Sequence, residues 1–444
     1  MIRKDQENLR DPMASEPDLA YRLNDLPPWP KNLLYGVQWA LIFLPTLAII
    51  SGISVNYLGF RGEEAVLFFQ RMLIVTGALM ILQTLWGHRL PLLDGPSSAL
   101  LLSFVIIAPQ GLPAIQGGML TGGVFLFLLS ALGLMRHLQR LMTDNVVGVI
   151  LVLIAVTLLP YLGPMIIQTR PGETGDIIVF GISLIVMAAI AFFSHRLRGF
   201  LKTISLFLGI ILGTILLALA GRAAFPDLAR TPWFSMPAPF FPGLPQFSFA
   251  ASLSFLVAYL AVIVNGVGSI YSVGEVVGKN ETGKRVARGI GLTGIGGILA
   301  GGCGVIGTVS FGISPGVILV TRVGTRYAVT VCGVLLLSLA FFQKALALFT
   351  AIPLSVIGAA MLTGTAAQVG AGISVLTRSG RPLASRDYLV IGIPILLGGV
   401  VPFLPEAFFQ TFPPEVQALV KNGMVVGILA VLLLEHLVLR GRAK

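Results

Sequence analysis

Charged residues are scarce in this sequence. Asp, Glu, Lys and Arg make up 11% of the 444 residues, whereas a soluble domain carries about 25%. Hydrophobic residues account for 55%, and the mean hydropathy is +0.91. Because so few charges cannot cover the surface of a soluble domain, the composition predicts an all-α protein that crosses the membrane many times.

Cysteines and catalytic motifs are also lacking. The two cysteines, Cys303 and Cys332, both lie in apolar runs, which excludes a disulfide framework and CxxC metal spacing. HExxH and GxSxG do not occur, and the GIGLTG stretch at 289–294 follows no strand, so it is not a dinucleotide-binding turn. We therefore predict that the protein is not an enzyme and needs no metal or cofactor.

Acidic residues are fewer than basic ones, 19 against 30, giving a net charge of +11. The basic residues lie in short loops between apolar runs and not on one soluble module, so nucleic acid is not the predicted partner. Placing the N-terminus in the cytoplasm puts most of them on the inside. Residues 1–32 lack the apolar core of a signal peptide. The sequence predicts cytoplasmic termini and a location in the plasma (inner) membrane.

Twelve apolar runs are long enough to cross the hydrocarbon core, which needs about 20 residues. They cover roughly 33–54, 65–87, 114–135, 143–163, 176–194, 200–221, 247–272, 287–303, 325–343, 349–369, 386–403 and 422–440. Two shorter runs, near 97–108 and 311–321, each follow a break of Gly, Pro and Ser. The alternation of basic loops requires both short runs to cross or nearly cross, which predicts fourteen membrane elements.

The two short runs are each third in a half of seven elements, and an odd number of crossings inverts the second half. Paired interrupted segments at corresponding positions indicate a transporter binding site. We predict that each is a half-helix preceded by a short extended segment, with the positive end of its dipole facing a cavity. Ser314 is expected to cap the second half-helix and Pro315 to occupy its first turn.

Polar side chains near these breaks are the candidate substrate contacts. Asn265 is the strongest, because an amide inside an apolar span needs a partner, either a ligand or a neighbouring helix. Ser269 lies one turn later on the same face, where it either contacts substrate or allows close helix packing. Ser97 and Ser98 cap the first half-helix, contact substrate, or do both.

The second break supplies Ser310, Phe311, Gly312 and Ser314. Phe311 either stacks on a planar ring or packs in the core. For Ser310 and Ser314, the backbone amides are expected to matter more than the hydroxyls. All four are predicted to be substrate-binding residues.

Two acids lie near the spans around the breaks. Asp94 is placed to cap backbone N–H groups before the first half-helix, and Glu275 is placed to pair with Lys279 at the end of its span. Either could instead carry a coupling proton. His88, His137 and His195 lie in basic loops and are interpreted as solvated.

Three stretches resemble the nucleobase–ascorbate transporter family, which includes uracil and xanthine permeases: SFGISPGVILVTRV, LPLLDGPSSAL and AVIVNGVGSIYSVGEVVGK. The resemblance covers nearly the whole chain. It implies seven-plus-seven inverted repeats, a homodimer, and a core domain that moves against a gate domain like an elevator. The implied divisions are an N-terminal tail 1–32, core 33–135, gate 136–221, an extracytoplasmic loop 222–246, core 247–345, gate 346–440 and a C-terminal tail 441–444.

The resemblance also places this chain on a divergent branch. Ser98 takes the position of a residue that contacts the base in the family. Characterised members carry a substrate-binding Glu in the eighth segment and often a Glu or Gln in the tenth, and these positions are Asn265 and Ile313 here. Asn265 offers a carbonyl and an amide but cannot titrate.

These observations predict a permease for a xanthine- or uracil-like nucleobase or a similar planar heterocycle, driven by protons or another cation. The expected partners are this substrate, the coupling ion, membrane lipid and a second copy of the chain. Two alternatives are an organic or inorganic anion transporter on the same fold and a membrane receptor that does not transport.

Overall fold

The described part of the chain forms fourteen membrane helices. A computed structural model describes residues 19–168, 175–229, 231–236, 240–278, 282–378, 380 and 382–439. In chain order the membrane helices are α1 (Trp29–Leu58), α2 (Glu63–Leu85), α3 (Ser98–Ile107), α4 (Leu112–Ala131), α5 (Asp144–Ile166), α6 (Ile177–Arg196), α7 (Ser205–Leu219), α8 (Phe249–Val276), α9 (Thr282–Cys303), α10 (Ser314–Thr321), α11 (Arg326–Leu339), α12 (Leu354–Leu376), α13 (Ser385–Val400) and α14 (Gly423–Leu433). Short helices at Met135–Leu141, Gly199–Thr203, Gln343–Thr350, Glu406–Phe409 and Pro414–Val420 lie between them.

The helix order agrees with the predicted pattern, but the runs predicted to be of spanning length at 200–221, 325–343 and 422–440 form shorter helices, because neighbouring residues turn into short helices or loops. In the described part of the chain, nine helices are long and apolar enough to span a membrane, and four shorter apolar ones are α3, α7, α11 and α14. Helix α10, with eight residues, completes the fourteen. The third helix of each half is a short one that follows a break in the apolar pattern, as the sequence predicts.

Local sequence signals fix several helix starts. Thr143, Asp176 and Ser248 are the N-caps of α5, α6 and α8, and each side chain accepts a backbone N–H of the first turn. These caps satisfy N–H groups that have no partner within the helix. Helix α1 ends at Gly59, whose φ of 73° suits a glycine C-cap.

Two short strands join the halves of the chain. Strand β1 (Asp94–Pro96) runs antiparallel to β2 (Thr308–Ser310), with Asp94 opposite Ser310 and Pro96 opposite Thr308. Both strands are fully buried. Each leads directly into a half-helix, and their pairing satisfies backbone groups that would otherwise be exposed at membrane depth.

Helix packing repeats between the two halves. Helix α4 packs on α9 and α8, while α2 and α1 both pack on α11. Helices α6 and α7 form a pair, as do α13 and α14, and α5 packs on α12. Each contact in one half has a counterpart in the other half between helices whose numbers differ by seven; for example, α6 with α7 corresponds to α13 with α14. This correspondence is what two structural repeats require.

The end of the polar N-terminal tail lies against the end of α10. Tyr21 forms a parallel bridge with Val323, and the Thr325 hydroxyl donates to the Asp25 carbonyl at 2.6 Å. Leu23 is buried there. This segment, residues 19–25, therefore holds the turn between α10 and α11.

Candidate functional site

Helix α3 starts from a buried, well-bonded break. Ser97 is its N-cap, and its hydroxyl accepts the Leu100 N–H at 3.5 Å. The Ser97 N–H donates to the Gly307 carbonyl at 3.0 Å, which ties this start to the other break. Ser98 is half-buried, and its hydroxyl makes no hydrogen bond to another described residue. Of the two serines, Ser98 is the one whose hydroxyl remains available to a ligand.

Helix α10 starts differently from the prediction. Pro315 lies in its first turn as expected, but Ser314 is already helical and Ile313 takes the N-cap position without a side-chain bond. The Ser314 hydroxyl accepts the Leu93 N–H at 3.1 Å and donates to the Phe311 carbonyl at 3.1 Å. The predicted Ser314 cap is wrong because the backbone entering β1 occupies that hydroxyl.

The side of α10 that faces away from the strands is open. Phe311 is half-buried, Gly312 and Gly316 are exposed, and Ile313 is 46% exposed. The Phe311 ring meets the ring of Phe43 edge-on, with 5.2 Å between centroids. The result is an aromatic wall beside an accessible helix start.

Phe43 is a residue that the sequence did not single out. It lies in α1, is fully buried, and covers Gly95, where an added Cβ would overlap its ring. Glycine at position 95 is therefore what lets α1 approach β1. A phenylalanine within a long apolar run carries no sequence signal that separates a site wall from ordinary core packing.

Helix α8 contributes an amide and a hydroxyl to the same region. Ser269 is buried and donates to the Ser310 carbonyl at 3.0 Å, joining α8 to β2. Asn265, one turn earlier on that face, is half-buried, and its side chain bonds to no other described residue. A Cβ on Gly312 would lie 3.6 Å from the Ser269 hydroxyl. The polar face of α8 therefore reaches the start of α10.

Asp94 does not cap backbone N–H groups as predicted. Its carboxylate takes two side-chain donors, His88 Nε2 at 2.8 Å and the Ser310 hydroxyl at 2.7 Å. The backbone N–H groups near it already have partners, because the Ser97 N–H donates to the Gly307 carbonyl and the Phe311 N–H donates to the Leu93 carbonyl. Asp94 is buried within a side-chain network behind the strands, and Ser310 turns its hydroxyl toward that network.

His88 is not the solvated loop residue that the sequence suggested. It is fully buried, because the connection from α2 to β1 folds back into the protein. Its Nδ1 accepts the Leu90 N–H at 3.0 Å, and Arg285 of α9 donates to its carbonyl at 2.9 Å. His137 and His195 are exposed, as interpreted.

Glu275 is exposed at the end of α8. Lys279, its predicted ion-pair partner, lies outside the described residues, so that pair stays a prediction. Across the described ranges, no group of three or more His, Cys, Asp or Glu side chains could hold a metal ion.

Comparisons with known proteins identify the family of the chain. The model of the xanthine/uracil permeases, described as a permease family, matches residues 30–407. The uric acid permease PucJ of Bacillus subtilis is 28% identical over 374 residues, 82% of each chain. The uric acid transporter UacT of Escherichia coli is 25% identical over 418 residues, 91% of this chain and 85% of its own.

Solved structures show the same fold. The transmembrane domain of the cyanobacterial bicarbonate transporter BicA superimposes with a TM-score of 0.59 at 16% identity, over 91% of this chain and 96% of its own. The murine anion transporter Slc26a9 in its inward-facing state gives 0.61 at 9% identity, over 92% of this chain and 68% of its own. Both have the seven-plus-seven inverted-repeat fold, which confirms the predicted fold class.

Proposed function

Because the chain belongs to the xanthine/uracil permease family, we propose that this multi-pass membrane permease carries a nucleobase, with oxidised purines as its first candidates. The relatives are named uric acid and xanthine permeases. The observation that carries the proposal is the unbonded, half-buried amide of Asn265 beside the open start of α10.

The chemistry of this site suits a flat ring with polar edges. An asparagine amide offers one acceptor and two donors, which match the alternating C=O and N–H groups of a purine. The half-buried Phe311 offers an aromatic surface for the ring. The starts of α3 and α10 favour carbonyl or anionic oxygens, because the first N–H groups of a helix lack partners within the helix.

We propose that the site moves with one group of helices. Asn265, Ser269, Ser98 and Phe311 all belong to, or adjoin, α1–α4 and α8–α11, which form the proposed core. Helices α5–α7 and α12–α14 form the proposed gate, and the packing of α5 on α12, α6 on α7 and α13 on α14 supports this grouping. The core would slide against the gate in a homodimer within the inner membrane, with both termini in the cytoplasm and protons as the coupling ion.

A thermal-shift screen of the purified protein tests the substrate class. Urate, xanthine and uracil are added separately to wild type, to Asn265→Ala and to Asn56→Ala, an amide near the far end of α1. We expect at least one base to raise the melting temperature of wild type and Asn56→Ala. Asn265→Ala should bind about two- to tenfold more weakly, since a lost hydrogen bond costs about 0.5–1.5 kcal/mol.

Uptake of the stabilising base into proteoliposomes completes the test. If no purine or pyrimidine stabilises the protein or enters the vesicles, the nucleobase proposal is wrong. If a base stabilises both asparagine variants equally, the substrate lies elsewhere in the protein.

An anion carrier is the second candidate, on the basis of one observation. At the two positions where members of the family carry acidic or amide side chains, this chain has Asn265 and Ile313. Neither residue adds negative charge to the open side of the site. Two helix dipoles directed at an uncharged site favour an anion. Competition of urate uptake by bicarbonate or sulfate would support this candidate, and the absence of competition would count against it.

A further inference from the structure

Three side chains form a closed network behind the strands of the site. His88 and Asp94 are fully buried and Ser310 is 2% exposed. Asp94 accepts from His88 Nε2 at 2.8 Å through one carboxylate oxygen and from the Ser310 hydroxyl at 2.7 Å through the other. Nothing in the transport site described above uses this buried acid, although a buried ionisable group within a membrane protein is a functional candidate.

The hydrogen bonds fix where the protons are. Because His88 Nδ1 accepts the Leu90 N–H, that nitrogen carries no proton. The ring proton is therefore assigned to Nε2, which donates to Asp94. Asp94 bonds to His88 through one oxygen and to Ser310 through the other, so a proton added to the second oxygen would lie between Asp94 and Ser310.

We propose that Asp94 is the binding site for the coupling proton and that His88 positions it, an inference that rests on the proposed proton-coupled permease. A hydronium ion transfers a proton to the Asp94 oxygen that faces Ser310. One O–H bond of the hydronium ion breaks, an O–H bond forms on Asp94, and a water molecule is left. The hydrogen bond between them then reverses, so that Asp94 donates and Ser310 accepts. His88 keeps both of its bonds, and no group is oxidised or reduced.

The network reaches the candidate site through adjacent residues of one segment. Ser310 is followed by Phe311 and Gly312 at the open start of α10, and its carbonyl accepts the Ser269 hydroxyl of α8. When Asp94 is protonated, the Ser310 hydroxyl hydrogen is released for another acceptor. Ser310 therefore links the protonation of Asp94 to Phe311 and Gly312, the residues that follow it in the candidate substrate site.

This location explains how a chain with Asn265 in α8 could still couple to protons. The amide cannot titrate, while the Asp94 carboxylate bonds to Ser310, whose carbonyl accepts the hydroxyl of Ser269, one turn from Asn265. On this proposal, Asp94 of β1 takes the proton-binding role that the Glu of the eighth segment is expected to have in characterised members of the family.

The groups that face the pair from neighbouring elements are mostly uncharged. Helix α8 contributes the Ser269 hydroxyl beside Ser310, and α10 contributes the Ser314 hydroxyl beside Leu93. Helix α9 packs Gly289 against the His88 ring. Among the described residues, the charged side chains at this loop are the exposed Arg89 within it and Arg285, which donates to the carbonyls of His88 and Arg89.

Infrared difference spectroscopy tests proton binding without any substrate. Acidification protonates many of the 19 carboxyl groups of the protein, so the test compares variants. We expect one carbonyl band of a protonated carboxylic acid that is present both in wild type and in Glu64→Gln, which loses an exposed acid of α2. The band should be missing in Asp94→Asn, whose side chain copies the protonated carboxyl with an oxygen for His88 and an N–H for Ser310. If the band is absent from wild type or persists in Asp94→Asn, the proposal is wrong.

Ser310→Ala keeps this test decisive if Asp94→Asn does not fold. Removing the hydroxyl takes away a partner of the protonated oxygen, so the frequency of the band must shift. An unchanged frequency would assign the band to another acid and overturn the proposal.

Transport then separates coupling from substrate recognition, with radiolabelled urate as the probe. One proton per urate and a difference of one pH unit sustain an about tenfold accumulation, which wild type and Glu64→Gln should reach. Asp94→Asn should exchange urate across the membrane but lose the accumulation. Accumulation that survives in Asp94→Asn would overturn the proposal. If wild type carries no nucleobase at all, the proposed function fails, and the infrared test alone still decides whether Asp94 binds a proton.

Discussion

The two half-helices follow the same sequence plan but have opposite surroundings. Helix α3 has ten residues, and all except Ser98 and Ile106 are buried. Helix α10 has eight residues, of which Ser314, Val317 and Ile318 are buried. Helices α1, α8 and α5 enclose α3, whereas α10 contacts α8 and the short helix Gly199–Thr203.

This difference shows which part of a symmetric site is accessible in this conformation. Both breaks contain Gly, Ser and Pro and both lead into apolar turns, so the sequence predicts the same structure and the same exposure for the two half-helices. Burial separates them, because α3 is held on several sides while the start of α10 has an open side. We infer that a ligand approaches along α10 and that α3 forms the fixed wall opposite it.

The largest expected effect comes from adding one methyl group to a glycine in each half. An alanine at Gly95 would overlap the buried Phe43 ring, whereas an alanine at Gly316 would meet nothing within 4 Å. Gly95→Ala should lower the free energy of unfolding by about 1–3 kcal/mol through overpacking. Gly316→Ala should raise it by up to about 1 kcal/mol, because alanine favours a helix over glycine.

Melting curves of the two purified variants without ligand, beside wild type, measure this contrast. Phe43→Leu combined with Gly95→Ala is the control, since a smaller side chain should relieve part of the overlap. Equal destabilisation by both glycine variants would show that the two half-helices are packed alike.

The general architecture could be predicted from the sequence, because it depends on long-range composition. Apolar runs of spanning length and basic loops gave fourteen elements, and the breaks before Ser98 and Ser314 gave the two short ones. Asn265 could also be singled out, since an amide stands out in an apolar span. These signals are local to one run and do not depend on which helices become neighbours.

The network behind the strands could not be predicted in this way. His88 looked solvated because it follows an apolar span and precedes Arg89, and only the fold shows that the connection after α2 turns back inward. The pairing of Asp94 with Ser310 depends on contact between residues 216 positions apart. A hydroxyl such as that of Ser314 can cap its own helix or bond another chain segment, and its neighbours in space decide which.

Helix α3, the enclosed half-helix, also has a polar connection to the start of α14. Among the described contacts, α10 has no such connection. Asn422, the N-cap of α14, donates to Ser254 of α8 at 3.0 Å and to Ser103 of α3 at 3.3 Å. All three side chains are fully buried. Because α14 belongs to the proposed gate, sliding of the core would have to break these bonds.

We therefore expect Ser254→Ala to destabilise this conformation by about 1–3 kcal/mol, the cost of leaving a buried amide without its partner. A double-mutant cycle with Asn422→Ala should give a coupling free energy of about 1 kcal/mol in melting experiments. Urate exchange should be faster in Ser254→Ala than in wild type. Additive effects of the two substitutions would show that the bonds do not hold core and gate together.

Ligand affinity offers a smaller contrast between the half-helices. Ile313→Gln places an amide at the open start of α10, while Ser98→Ala removes a hydroxyl from the start of α3. A single hydrogen bond contributes about 0.5–1.5 kcal/mol, so urate should bind several-fold more tightly to Ile313→Gln and several-fold more weakly to Ser98→Ala. Thermal shifts across a urate titration measure both, and unchanged binding by Ile313→Gln would mean that the ligand does not lie against α10.

The smallest expected effect concerns the segment that supports the open half-helix from outside. The Asp25 carboxylate accepts the Arg22 N–H at 2.7 Å and shapes the turn that lays residues 19–25 along the end of α10. Asp25→Ala should lower the free energy of unfolding by about 0.5 kcal/mol, since the bond is exposed to water. Asp25→Asn keeps a side-chain acceptor for Arg22 and should melt like wild type. If the two variants melt at the same lowered temperature, the charge of Asp25 matters more than its hydrogen bond to Arg22. If neither melts below wild type, this turn does not stabilise the protein.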